Sequence, residues 1–236
     1  MSGDAKKPAR KPAAKKAKPQ VEDNTTEARN DGDQIAAVIA AALPHAAFDG
    51  FTDRVLEDAG KAAGLAPADM VRLFPEGPLS LVAAWSQAID AEMQERLTAM
   101  DLPAMKIRAR ITEAVKTRLS ILKRNKEAAR RAAALLSLPM HAGLAAKLVY
   151  ATVDAMWRVA GDVSTDFNFY TKRGILAGVY GSTLVRWFAD SSEDEADTNA
   201  FLAARIENVM QFEKFKAKAK EALANFPAFA QWAKPK

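Results

Sequence analysis

Between residues 34 and 223 apolar side chains return every three or four positions, and the alternation of Val, Ile and Thr expected of strands never develops. The chain therefore reads as all-α. Helices are expected at Gln34 to Leu43, Thr52 to Ala63, Pro67 to Phe74, Leu79 to Met100, Pro103 to Asn125, Lys126 to Leu138, Ala142 to Ala160, Tyr170 to Asp190 and Thr198 to Leu223. The punctuation agrees: Thr52 offers an N-cap hydroxyl, Gly64 suits a left-handed turn, Pro67 and Pro103 suit first helical turns, and Pro139 stops a helix. Asp197 is expected to accept backbone N–H bonds where the last long helix begins, with the acidic run Asp190 to Asp197 forming a solvated loop. The pattern divides the chain into a basic tail and acidic linker (1–33), a helix-turn-helix-like unit (34–80), a larger helical part (81–211) and an amphipathic C-terminal segment (212–236).

Composition narrows the chemistry. Of 236 residues, 49% are apolar, enough for a real core, and there is no cysteine, which excludes thiol nucleophiles, thiolate metal sites and disulfides. His45 and His141 are far apart, with no imidazole or carboxylate at ligand spacing near either, so neither a metal site nor a cofactor is expected. Each instead reads as a neighbour of a turn, beside Pro44 and Met140. The net charge of +5 invites a nucleic-acid reading, but Lys6, Lys7, Arg10, Lys11, Lys15, Lys16 and Lys18 against Asp4 place +6 in residues 1–20 and leave −1 for the rest. That Ala, Lys and Pro tail has almost nothing to bury and is expected to be disordered. No run approaches the ~18 apolar residues of a membrane span.

Residues 35–85 have the spacing of a three-helix unit: an apolar helix, Phe51 to Ala63, a Gly64-Leu65 turn, a short helix, and Phe74-Pro75 leading into a longer helix. This resembles the N-terminal part of TetR-type regulators. The short recognition segment, however, offers only Arg72 against Asp69, among Ala68, Met70, Val71 and Leu73. TetR-type proteins usually carry a Tyr and His pair before the aromatic, where this chain has Val71 or Arg72 and Leu73. With so few cations for phosphates, no specific nucleic acid is expected as a partner.

Further on, Gly161, Asp162, Ser164 and Thr165 make a polar, turn-prone connection, into which Phe167, Phe169 and Tyr170 bring three aromatics. Rings there either cap the core or meet a partner. The stretch from Met156 to Arg173 resembles the signature of the coenzyme Q (ubiquinone) biosynthesis accessory family, the lipid-binding proteins numbered nine in the Coq series. Matches continue through Ala177, Val179 to Thr183, Trp187, Asp190 to Ser192, and Phe201-Leu202 to Arg205-Ile206. The resemblance implies a TetR-like helical bundle whose cavity takes an isoprenoid or phospholipid, and which presents a polyprenyl quinone intermediate to the di-iron hydroxylase of that pathway. It places a partner-contact patch on Met156, Asp166, Asn168, Phe169, Tyr170 and Arg173, although the family often carries Trp where this chain has Phe169. A homodimer is expected.

Trp85, Ile89, Leu119, Leu122, Leu148, Leu176, Tyr180 and Leu184 recur at helical spacings in the helices that line such cavities, a pattern that plain core packing also produces. At the C-terminus, Phe212, Phe215, Leu223 and Phe226 share an apolar stripe with Ala219, with Lys216, Lys218 and Lys220 beside it and Phe229 and Trp232 beyond. This suits a lipid headgroup boundary, and a helix docked on the protein's own core would read similarly. The expectation is a non-enzymatic accessory protein on an anionic membrane surface, at the inner face of the cytoplasmic membrane. The rival is a ligand-responsive transcriptional repressor. Carboxylate chemistry by Glu193 and Asp194 is disfavoured by their place in an exposed loop.

Overall fold

In a computed structural model, residues 21–165 and 167–224 are described. Helices α1 (Val21–Asp49), α2 (Asp53–Ala62), α3 (Pro67–Leu73), α4 (Pro78–Thr98), α5 (Ile107–Leu122), α6 (Lys126–Leu136), α7 (Ala142–Val159), α8 (Phe167–Phe188) and α9 (Ala196–Ala224) follow one another, with no strand among the described residues. The all-α expectation holds, and most boundaries fall within a turn of those read from periodicity.

The most deeply enclosed helix is α5, which buries Ile111, Ala114, Val115, Thr117, Arg118, Leu119, Ile121 and Leu122 and packs against α4, α7 and α9. Around it α7 packs on α8 and α8 on α9, while α1 lies against α2, α4 and α6. Phe51, in the turn after α1, stacks on Trp85 of α4 with centroids 5.8 Å apart, which fastens the N-terminal unit to the rest. Local signals act as expected at several joints. Thr52 Oγ1 accepts the Val55 N–H at 3.3 Å, and Pro67 opens α3. Gly64, at φ +71°, ends α2: its N–H bonds Lys61 O and that of Leu65 bonds Gly60 O, a paired closure that needs a left-handed residue.

Three expectations need correction. Residues 21–33, read as a polar linker, are the first turns of α1, whose Asp31 accepts a 2.7 Å bond from Arg72 of α3. Pattern reading looks for an apolar stripe, and a helix extending over a neighbouring surface does not need one. The same helix runs through Pro44, which has no N–H to donate, because Ala42 and Ala46 beside it are buried in the core. Pro103 belongs to a separate single turn, Leu102–Ala104, and α5 starts only at Ile107.

The cap of α9 is also not Asp197. Asp190, buried, accepts the Thr198 N–H and Oγ1–H and the Ser192 N–H and Oγ–H, while Ser192 Oγ receives the Asp197 N–H. Bonds from Ser192 and Thr198 hold the Asp190 carboxyl well below the usual carboxylate range. The side chain of Asp197 turns to Arg186 instead. Asp190 to Asp197 is therefore a built cap rather than a plain solvated loop, with Glu195 accepting from Trp187 Nε1 at 2.7 Å.

The Thr52 cap gives a local test of how the N-terminal unit is held. Thr52→Ala should lower stability by about 1 kcal/mol, with Thr52→Ser close to neutral, as read by urea unfolding; equal loss in both would mean that the methyl group, not the hydroxyl, matters.

Candidate ligand cavity and partner face

Helix α7 ends in the same closure as α2. Gly161 at φ +87° donates to Arg158 O and Asp162 N–H to Trp157 O, and a Cβ at Gly161 would stand 3.2 Å from Arg110 Nη1. Arg110 ties this end down, donating to Ala160 O, Met105 O and Pro103 O. Turned inward by the closure, Asp162 accepts from Lys172 Nζ at 2.9 Å, Arg173 Nη1 at 3.1 Å and Ser164 Oγ at 2.7 Å. Arg173 also donates to Asp154 at 2.6 Å and to Phe169 O at 3.2 Å, and its guanidinium lies 3.3 Å from the Phe169 ring centroid. Burial alone would raise the Asp162 pKa, but the bonds from Lys172, Ser164 and Arg173 outweigh it and hold the carboxyl well below its usual range. The result is an ionic clasp that fixes the start of α8 against the end of α7.

That geometry redraws the patch. Met156 is fully enclosed, at 0% exposure, and Arg173 is at 2%, so neither meets a partner; one is core and the other is the centre of the clasp. Asn168 falls on the first turn of α8, and Asp166 lies outside the described residues. Phe169 is half-buried, edge-on to Tyr170 at 5.2 Å, while Tyr170 is 66% exposed and Val163 91% exposed. Val163 escaped the sequence reading, although a branched apolar residue within a Gly-Asp-x-Ser-Thr turn was its signal.

A cavity of about 100 Å³ opens between α4, α5, α6, α7 and α8. It brings together Trp85, Ile89, Leu122, Leu148, Tyr180 and Leu184; Leu119 and Leu176 are core residues away from it. Sequence reasoning missed its polar side. Arg118 donates through Nε to Asp90 at 2.8 Å, through Nη2 to Ser86 at 3.0 Å and through Nη1 to the Tyr180 hydroxyl, and Thr152 Oγ1 donates to Asp90 at 2.9 Å. Burial opposes charge on Arg118, but the Asp90 carboxylate beside it keeps its pKa raised, and burial pushes the Tyr180 phenol up, so the guanidinium stays charged and the phenol protonated. The available signal was a charge within an apolar stripe: Arg118 shares its face with Ala114, Val115 and Leu122.

Residues 142–213, which span α7, α8 and the first half of α9, match the COQ9 family model. That segment is similar to the COQ9 domain. The chain is 32% identical over 179 residues to the "Ubiquinone biosynthesis protein COQ9, mitochondrial" of Rattus norvegicus, an alignment covering 73% of this chain and 57% of that protein. The human COQ9 is 31% identical over 179 residues, with 73% and 56% covered, and that of Drosophila melanogaster 30% over 196, with 81% and 60% covered. The chain thus spans a little over half the length of these relatives. A TetR transcriptional regulator from Nitrosomonas europaea ATCC 19718 superposes with a TM-score of 0.59 at 18% identity, covering 74% of this chain and 97% of that one, and bears out the TetR-like fold. The COQ9-like segment contains the whole clasp and supplies Thr152, Tyr180 and Leu184 to the cavity, whereas Asp90, Arg118 and Trp85 come from helices before it.

The remaining candidates separate. Phe212, Phe215, Lys216, Lys220 and Leu223 fall on the last turns of α9, and Phe226, Phe229 and Trp232 lie outside the described residues. Among the described residues no single helix is long and apolar enough to cross a membrane, and no cluster of three His, Asp or Glu is placed to hold a metal. His45 is an exposed position within α1 rather than the neighbour of a turn, and His141 Nδ1 lies 2.9 Å from Leu135 O at the α6–α7 turn.

Acid should open the clasp. The folded pKa of Asp162 lies below the ~3.9 of a free Asp, so its contribution is complete above that value and is lost as the pH falls below it. The melting-temperature gap between the native chain and Asp162→Asn should be constant from neutrality to about pH 5 and close below about pH 4. A gap unchanged at pH 3 would remove Asp162 from this role.

Proposed function

We propose that the chain is a lipid-binding accessory protein of ubiquinone biosynthesis. It takes a polyprenyl quinone intermediate from an anionic membrane surface, at the inner face of the cytoplasmic membrane, and presents it to a hydroxylase, performing no chemistry itself. One arrangement carries the reading. Helices α7 and α8 of the COQ9-like segment line a largely apolar cavity with their inner faces, and hold outward Val163 on their connection and Tyr170 on the first turn of α8, where the Asp162–Arg173 clasp locks the two helices together. A fixed, exposed aromatic beside an apolar residue is the composition of an interface hot spot. The names of the relatives, which are ubiquinone biosynthesis proteins, supply the pathway.

At about 100 Å³ the cavity is smaller than the ~150 Å³ space that accommodates benzene. A space of this size takes only the end of a long ligand. Operator binding is disfavoured, because Arg72 of α3 is held by Asp31 and Asp69, leaving the face around exposed Val71 to supply contacts.

Mass spectrometry of lipids extracted from the purified protein should find an isoprenoid or phospholipid, and liposome co-sedimentation should weaken on removal of residues 212–236. Tyr170→Ala and Val163→Ala should each weaken hydroxylase association about tenfold or more, with melting temperature nearly unchanged. Lipid-free protein would sink the cavity reading. Unimpaired association in both variants would sink the partner face, and salt-dependent retention on a specific DNA operator would favour a repressor.

A further inference from the structure

The corner between α6 and α7 departs from the rest of the surface. In a chain that is 27% charged, a stretch of 22 residues carries about six charges on average, yet residues 132–153 carry one, Lys147, and no carboxylate. Burial does not account for it. Eleven of those 22 positions are exposed, and Lys147 is the only charged residue among them. The exposed set includes large side chains: Leu138 at 44%, Met140 at 79% and Tyr150 at 45%. The inner sides of the same two helices are already used, by Ala133, Leu136, Leu148 and Val149 around the cavity, so packing does not call for the outer sides to be apolar as well.

Shape and charge decide what such a surface meets. The helical run that ends at Leu136 and the helical run that begins at Pro139 meet at 93°, so Leu138 and Met140 stand at the tip of a convex corner rather than in a groove. Behind the tip, Gly143, Ala146, Lys147 and Tyr150 are spaced i, i+3, i+4 and i+7 and share one exposed face of α7. Lys147 has no carboxylate partner among the described residues, and Arg131 on α6, 49% exposed, has only a 4.0 Å contact to Glu127. Small Ala and Gly residues on that face offer a protein partner little to grip. A bilayer asks for no matching shape. It takes protruding Leu and Met into its acyl boundary, holds Tyr at headgroup level and pairs Lys and Arg with anionic headgroups, and the group it rejects, the carboxylate, is the one missing here.

We propose that the α6–α7 corner is a membrane contact, with Leu138 and Met140 entering the outer acyl layer of an anionic bilayer and Lys147 and Tyr150 resting among its headgroups. This rests on the reading of a protein that visits the membrane, and adds to it a second surface, separate in sequence from residues 212–236. Helix α7 has 18 residues, about 27 Å at 1.5 Å per residue, and the clasp holds its other end. A bilayer on the corner therefore leaves Val163 and Tyr170 uncovered for a partner.

Because the chain has no cysteine, Met140→Cys supplies a single thiol for an environment-sensitive nitrobenzoxadiazole label on the full chain. Vesicles of phosphatidylethanolamine and phosphatidylglycerol should shift its emission to the blue and raise its intensity about twofold or more, while the same label at Lys61→Cys, an exposed position on α2, stays unchanged. In the unlabelled chain, Met140→Glu should weaken vesicle co-sedimentation about tenfold, with melting temperature nearly unchanged because the native side chain is already exposed. A label at Trp232→Cys reports on the C-terminal segment separately. A response there with none at Met140→Cys overturns the corner and spares the membrane reading, whereas silence at both positions overturns both. Equal responses at Met140→Cys and Lys61→Cys, or full co-sedimentation of Met140→Glu, also overturn the proposal. So does a blue shift at Met140→Cys that grows with protein concentration in the absence of vesicles, since it places a second copy of the chain on the corner.

Discussion

Arg118 sits inside the bundle with its charge intact, and four helices are arranged to keep it there. It projects from α5, takes Asp90 and Ser86 from α4 and Tyr180 from α8, and through Asp90 reaches Thr152 of α7. A cation removed from water is costly unless paired and hydrogen-bonded, and leaving one member of such a pair uncompensated costs about 3–5 kcal/mol. The positions of these four helices are therefore not independent. Any register or rotation that separates α4, α7 or α8 from α5 exposes an unpaired charge to an apolar interior, so the network specifies one packing among the many that apolar surfaces alone would tolerate.

A second buried ionic cluster does at the α7–α8 connection what Arg118 does among the helices. Arg173 joins Asp154 of α7 to Asp162 of the connection, and its guanidinium lies over the Phe169 ring. Both clusters are anchored on α8, through Tyr180 and Arg173, seven residues apart in the sequence and hence two turns apart on one side of the helix. Helix α8 is thereby shared between the cavity and the exposed Val163 and Tyr170 face.

Helical content, the caps at Thr52 and Gly64, and the position of most turns were legible because they depend on residues three or four apart. The TetR-like plan was legible in the helix-and-turn spacing of residues 35–85, and the COQ9 likeness because its motif residues lie together between 156 and 206. Of the eight residues that periodicity picked out, six line the cavity, yet it also admitted Leu119 and Leu176, since it ranks residues by face and says nothing of whether the face meets a side chain or a space. Met156 and Arg173 were placed in a contact patch by the family resemblance, and both proved to be buried.

The difference has one physical origin. Sequence by itself determined the helices, their order and the chemical character of each stretch, all properties of short-range spacing and of side-chain type. Only the tertiary structure decided which charges were buried and by what they were compensated. Arg118 and Tyr180 are 62 positions apart, and Asp90 and Thr152 are also 62 apart. Burial cancels the solvation of each group, and only the partner brought across that distance makes the cancellation tolerable.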